Sequence, residues 1–158
     1  MAWFNDPKRH SLARRGIKTA QKVNPISKLD ISRYSGKWFE ISRTPNWFQE
    51  GCKKSIAEYS KKEGYIEVKN SCEKDGERTF RFAKAQQVGK SGKLEVSFFP
   101  FVKADYLVLF TDYNTALVGT PDRNYLWVLS RTRELPKYKV DKLTKIAQKQ
   151  GFDVEKLK

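Results

Sequence analysis

Few residues in this 158-residue chain stand where covalent chemistry could be done. His10 is the only histidine, and it lies among the basic residues of the first 28 positions. A Ser-His-Asp or Cys-His arrangement within the folded part is thereby removed, as is a histidine metal cluster. No phosphate loop or dinucleotide glycine fingerprint occurs, so no cofactor is called for. The carboxylates are scattered, which gives a glycosidase reading little support. That leaves two sulfurs, Cys52 and Cys72. A free Cys52 thiolate could serve as a nucleophile, and the chain would then be a thiol-dependent enzyme. Bonded to Cys72 it could not. The residues between them alternate as two strands turning near Lys62 and Glu63, which sets both cysteines about ten residues from the tip and opposite each other. A one-residue bulge would bring their Cβ atoms to bridging distance. A disulfide is the favoured reading, with two buried free thiols as the alternative.

The elements that would hold such residues are short strands. Apolar and polar residues alternate over 36–44, 55–61, 65–71, 79–85, 93–99, 105–111, 115–119 and 125–131. Turn residues separate them: Glu63-Gly64, Asp75-Gly76, Ser91-Gly92 and Pro121 to Asn124. Eight strands in hairpin succession predict an all-β fold, an antiparallel up-and-down β-barrel with no free edges. After Arg131 the period changes. From Pro136, Val140, Leu143, Ile146 and Ala147 fall on one face of a helix that should end at Gly151 and pack outside the barrel.

Composition bounds the rest. The length allows one domain. Hydrophobic residues at 39% suffice for a core, and a mean hydropathy of −0.71 argues against an integral membrane protein. The net charge of +14 divides into +6 over residues 1–28 and +8 over residues 29–158. Residues 1–28 read as a basic arm with little to bury, free unless it docks. Such charge attracts phosphate, so the arm and the lysine-rich surface could contact an anionic membrane or nucleic acid. An oligonucleotide barrel, however, has five strands and exposed stacking aromatics, so specific nucleic-acid recognition is not expected.

Three signatures mark a resemblance. Gly36 and Trp38 open the first strand, Thr111-Asp112-Tyr113 follows the sixth, and Arg131 ends the eighth. Together with the phrases GKWFEISR, TDYNTALVG, PDRNYLWVLSR and GFDVEK, they resemble the lipocalin family from Leu29 to Lys158, and most closely its bacterial outer-membrane and apolipoprotein D branch. The resemblance implies a calyx closed at one end, with Arg131 packed across Trp38. Relatives continue into a ninth short strand where this chain ends, which puts in doubt any pairing over the outside of the first strand. The family and a disulfide point to the cell envelope or periplasm. The first residues carry no apolar export core or lipidation cysteine, which leaves the cytoplasm open.

The resemblance also implies which residues face the cup. They are Glu40 and Ser42; Ala57 and Tyr59; Ile66, Val68 and Asn70; Val96 and Phe98; Tyr106 and Val108; Leu117; and Tyr125 and Trp127. The fourth strand reads two ways: hydrophobicity turns Phe80 and Phe82 inward, whereas the family pattern turns Ala83, Ala85 and Arg81 inward. A half-buried Arg81 could pair with a ligand carboxylate or phosphate. Glu40, if inside, needs a partner: Arg81, a tyrosine hydroxyl or its own proton. The implied function is binding and carriage of a small hydrophobic ligand, a fatty acid or lysophospholipid, for membrane maintenance or stress response. Aromatic residues of 45–48 and 99–101 would form an apolar rim able either to touch a membrane or to fold over the mouth as a lid.

Overall fold

The computed structural model describes residues 21–46, 49–98 and 102–158. Eight antiparallel strands close on themselves in sequence order: β1 (Gly36–Arg43), β2 (Lys53–Lys62), β3 (Tyr65–Lys74), β4 (Glu77–Gln87), β5 (Lys93–Phe98), β6 (Val102–Thr111), β7 (Thr115–Gly119) and β8 (Leu126–Ser130). Closure is made by β1 pairing with β8, so the sheet has no terminal strand. A one-turn helix, α1 (Ile31–Tyr34), precedes the barrel, and α2 (Lys137–Lys149) follows it.

The hairpins follow from their turn residues. Asp75 and Gly76 both have positive φ, 54° and 81°, the backbone that a two-residue turn between Lys74 and Glu77 requires. Cys52 and Cys72 form a disulfide with Cα atoms 5.4 Å apart. The bulge it needs is present: β2 gains one residue between Lys53 and Ile56, where Lys54 has φ 51°.

Two apolar layers result. The inner one fills the barrel, and its members include Trp38, Val68, Ala85, Leu94, Val96 and Val108. The outer one lies between the barrel and α2. Leu143 and Ala147 of the helix meet Leu107, Leu109, Leu117, Leu126 and Val128 of the strands. Gly119 belongs to this seam, since a Cβ there would lie 2.6 Å from the Phe152 ring.

Both ends of the described residues also lie on the barrel. Residues 21–28, assigned to the basic arm on sequence grounds, run along it: Val23 is buried in the outer layer, and Ile26 N–H donates to the Val108 carbonyl at 2.9 Å. The arm's first 20 residues lie outside the described ones. Lys158 exchanges backbone hydrogen bonds with Arg43, at 3.0 and 3.2 Å, so an outer pairing on β1 is present.

Candidate functional site

The closed end is built around Arg131. Its Nε donates to the Tyr113 carbonyl at 3.1 Å and Nη1 to that of Lys37 at 2.9 Å. Nη2 reaches the carbonyls of Arg33, Tyr34 and Ser35, at 2.8, 3.2 and 3.0 Å. The guanidinium lies 3.7 Å from the Trp38 ring centroid, and the indole Nε1 donates to the Tyr34 carbonyl at 2.8 Å. Gly36, at φ +101°, sits where a Cβ would approach the Arg131 Nη1 to 3.3 Å. Thr111-Asp112-Tyr113 is the β6–β7 turn below. Asp112 Oδ1 accepts from the backbone N–H groups of Asn114 and Thr115, at 2.9 and 2.6 Å. Burial pushes the Asp112 carboxyl up, but these donors outweigh it and hold the group below its ordinary value. Tyr113 Oη in turn accepts from the N–H of Asp30 at 3.0 Å, tying α1 across the base.

Above this floor the barrel is half full. In its closed half Ile66, Val68, Val96 and Val108 are buried against one another. In its open half the walls stand apart around a cavity of about 500 Å³, within the roughly 300–1,000 Å³ of small-molecule sites. Of the residues expected to face the cup, Glu40, Ala57, Tyr59, Asn70, Arg81, Phe98, Tyr106 and Trp127 line it. Tyr125 lies inside but behind, stacked on Trp127 at 6.2 Å. Burial pushes the Tyr59 phenol up to about 12 and the Tyr106 phenol higher still, so both line the cavity as neutral hydrogen-bonding groups.

Two expected residues face the other way, one of them because of a bulge. Along β1, Glu40 pairs with Leu129 and Ser42 with Val128, so Ile41 is an extra residue. Ser42 therefore points out, where its hydroxyl donates to the Lys158 carbonyl at 2.8 Å. Along β6, Val108 pairs with Val118 and Phe110 with Leu117, so Leu109 is the extra residue. Leu117, opposite Val128 of β8, belongs to the outer layer under α2, and Val118, opposite Val108 and Trp127, lines the cavity instead. On β4 the small-residue pattern holds: Ala83 and Ala85 are buried inside, while Phe80 and Phe82 are outside.

The β1 bulge has a chemical effect, because it turns Arg43 inward beside Glu40. Arg43 Nη1 donates to Glu40 Oε2 at 2.8 Å, and Nη2 to the carbonyls of Gln49 and Cys52 at 3.0 and 3.2 Å. Gln49 Nε2 donates to Glu40 Oε1 at 3.0 Å, and Trp127 Nε1 donates to Gln49 Oε1 at 3.1 Å. The expected partners, Arg81 or a tyrosine, are thus replaced by Arg43 and Gln49. Burial raises the Glu40 carboxyl above its ordinary value, and Arg43 and Gln49 limit the rise. Gln49 lies in a loop, with no periodicity to mark it as a wall residue.

This geometry has counterparts. A family model described as "Lipocalin-like domain" matches residues 29–158. The chain belongs to the lipocalin family. Among curated lipocalin relatives, outer membrane lipoprotein Blc of Vibrio cholerae is 35% identical over 145 residues, covering 87% of this chain and 85% of that protein. Temperature-induced lipocalin-1 of Arabidopsis thaliana is 34% identical over 151 residues, covering 87% and 81%. Apolipoprotein D of Mus musculus is 37% identical over 142 residues, covering 81% and 74%. Among solved structures, insecticyanin from the tobacco hornworm Manduca sexta superposes with a TM-score of 0.76 at 26% identity, covering 88% of this chain and 84% of that one. Lipocalins bind small hydrophobic ligands and are in general binding or transport proteins. In this one, the disulfide leaves neither sulfur as a free thiol for nucleophilic chemistry.

Proposed function

We propose that this lipocalin binds and carries one single-chain amphiphile, a fatty acid or lysophospholipid, in membrane maintenance or stress response. The tail lies in the open-half cavity against Tyr59, Phe98, Tyr106 and Trp127, and the acidic head meets Arg81 at the mouth. The observation that carries this reading is the cavity itself: about 500 Å³ opening at the mouth, with Tyr59, Phe98, Tyr106 and Trp127 on one part of its lining and polar groups including Arg81 on another. Each CH₂ moved from water into such walls contributes about 0.8 kcal/mol, so a long acyl chain supplies the driving force. The arginine fork adds selection for a carboxylate or phosphate.

Displacement of a fluorescent fatty acid tests this. The wild-type protein should bind one equivalent, with affinity that changes little between low and high salt, unlike a phosphate-tracking surface. Trp127→Arg, which sets a cation in the cavity wall, should abolish binding. Ala57→Phe fills the same space without adding charge and should weaken binding at least about tenfold while the fold persists. Undiminished binding in both variants would refute the cavity as the ligand site.

A further inference from the structure

The outer wall of the barrel beside the mouth departs from the pattern of a solvated sheet. Phe80 and Phe82 are 51% and 59% exposed on successive outward positions of β4. On one side they stand opposite Ser71 and Lys69 of β3. On the other, the described pairing of β4 with β5 runs from Lys84 to Gln87. Isolated apolar residues on a surface need no explanation, but two adjacent aromatics on one strand form a patch.

Cations surround that patch. Lys69 Nζ lies 4.7 Å from the Phe80 ring centroid, and Lys84 Nζ lies 4.8 Å from that of Tyr65. Of the acids on the same wall, Glu73 contacts Lys54 and Arg78, while Glu67 and Glu58 stand opposite Lys84 and Lys69 in the ladder without closing an ion pair with them. The chain as a whole carries +14. Exposed aromatic rings framed by lysines are the chemistry of an interfacial surface, where rings enter the acyl boundary and ammonium groups meet lipid phosphates. A second copy is a poorer occupant, since two such walls face to face would set Lys69 and Lys84 against their counterparts.

We propose that the outer face of β3 and β4, through Phe80 and Phe82 with Lys69 and Lys84, docks on a bilayer containing anionic lipid. Thr79 and Arg81 alternate with these phenylalanines and line the cavity from the other side of the same strand. Docking therefore sets the cavity mouth next to the lipid surface.

Flotation with vesicles of phosphatidylcholine, with and without roughly one-third phosphatidylglycerol, tests the proposal. The full chain should float with the anionic vesicles and only weakly with the neutral ones. Phe80→Ser combined with Phe82→Ser should lower partitioning at least about tenfold, although every charge of the chain, including those of residues 1–28, is kept. Lys69→Gln combined with Lys84→Gln, which sets no like charges opposite each other, should lower it at low salt and less at high salt. The serine variant changes two exposed positions and should keep the thermal midpoint and fatty-acid binding of the wild type. Wild-type flotation by the serine variant would overturn the proposal, as would absence of flotation altogether. So would a dimer in sedimentation that the serine variant dissolves, because the face would then be an interface between copies. Loss of fatty-acid binding in the wild type would count against the cavity, not against this wall.

Discussion

Arg131 shows how one side chain can set a tertiary contact. Its three nitrogens satisfy five backbone carbonyls drawn from α1, its C-cap, the start of β1 and the β6–β7 turn, and its face covers Trp38. No lysine reproduces that planar fork. Arg131→Lys should therefore destabilise the fold by about 3 kcal/mol, the scale of losing charge-assisted hydrogen bonds, as read from urea midpoints at unchanged m. Glu40 carries a prediction of opposite character. Its folded-state value is raised above the ordinary 4.5, chiefly by burial. A raised value means that the folded chain holds this proton more tightly than the unfolded one. The stabilisation from that proton is complete below the ordinary value and is lost as pH rises through the folded value. Urea stability of the wild type should thus fall relative to Glu40→Gln as pH rises from about 4 to about 7. A flat difference would mean that Arg43 and Gln49 compensate burial fully.

At the scale of elements, the disulfide ties the start of β2 to the end of β3 at the open end, closing a loop with a sequence separation of 20. Cys52→Ser combined with Cys72→Ser should cost about 3 kcal/mol in the chain-entropy picture, measured by denaturation without reductant. The same scale explains what the sequence revealed and what it hid. Strands β1 to β4 alternate visibly, and their turns carry Gly or Asp, so the number of strands, their order and the facing cysteines were legible. Inward parity was not legible where alternation fails. All five residues of β7 and all five of β8 are buried, because the barrel fills one face and α2 covers the other. With no polar face, nothing in TALVG distinguishes Leu117 from its neighbours. Ser42 was misplaced for a related reason: a bulge at Ile41 adds one residue without a glycine or any other local signal, and parity downstream inverts. On β4 hydrophobicity alone misleads, since the exposed rings are Phe80 and Phe82 while small Ala83 and Ala85 leave room inside.

At the scale of the whole molecule, one barrel does two jobs in its two halves. The closed half is a packed core anchored by Trp38 and Arg131, and it carries stability. The open half keeps about 500 Å³ between its walls, with Arg81 and the Glu40–Arg43–Gln49 network among its polar groups. The division follows from side-chain choice: inward Ile66, Val68, Val96 and Val108 below, and inward Asn70, Arg81 and Thr79 above, which leave the upper space unfilled by hydrocarbon. Native mass spectrometry of the freshly purified full chain reads this most directly. The account predicts a population carrying one amphiphile of fatty-acid or lysophospholipid mass per chain, retained in high salt and absent from Trp127→Arg. Wild-type protein that stays at its bare mass after incubation with excess fatty acid, or a variant as fully loaded as the wild type, would contradict it.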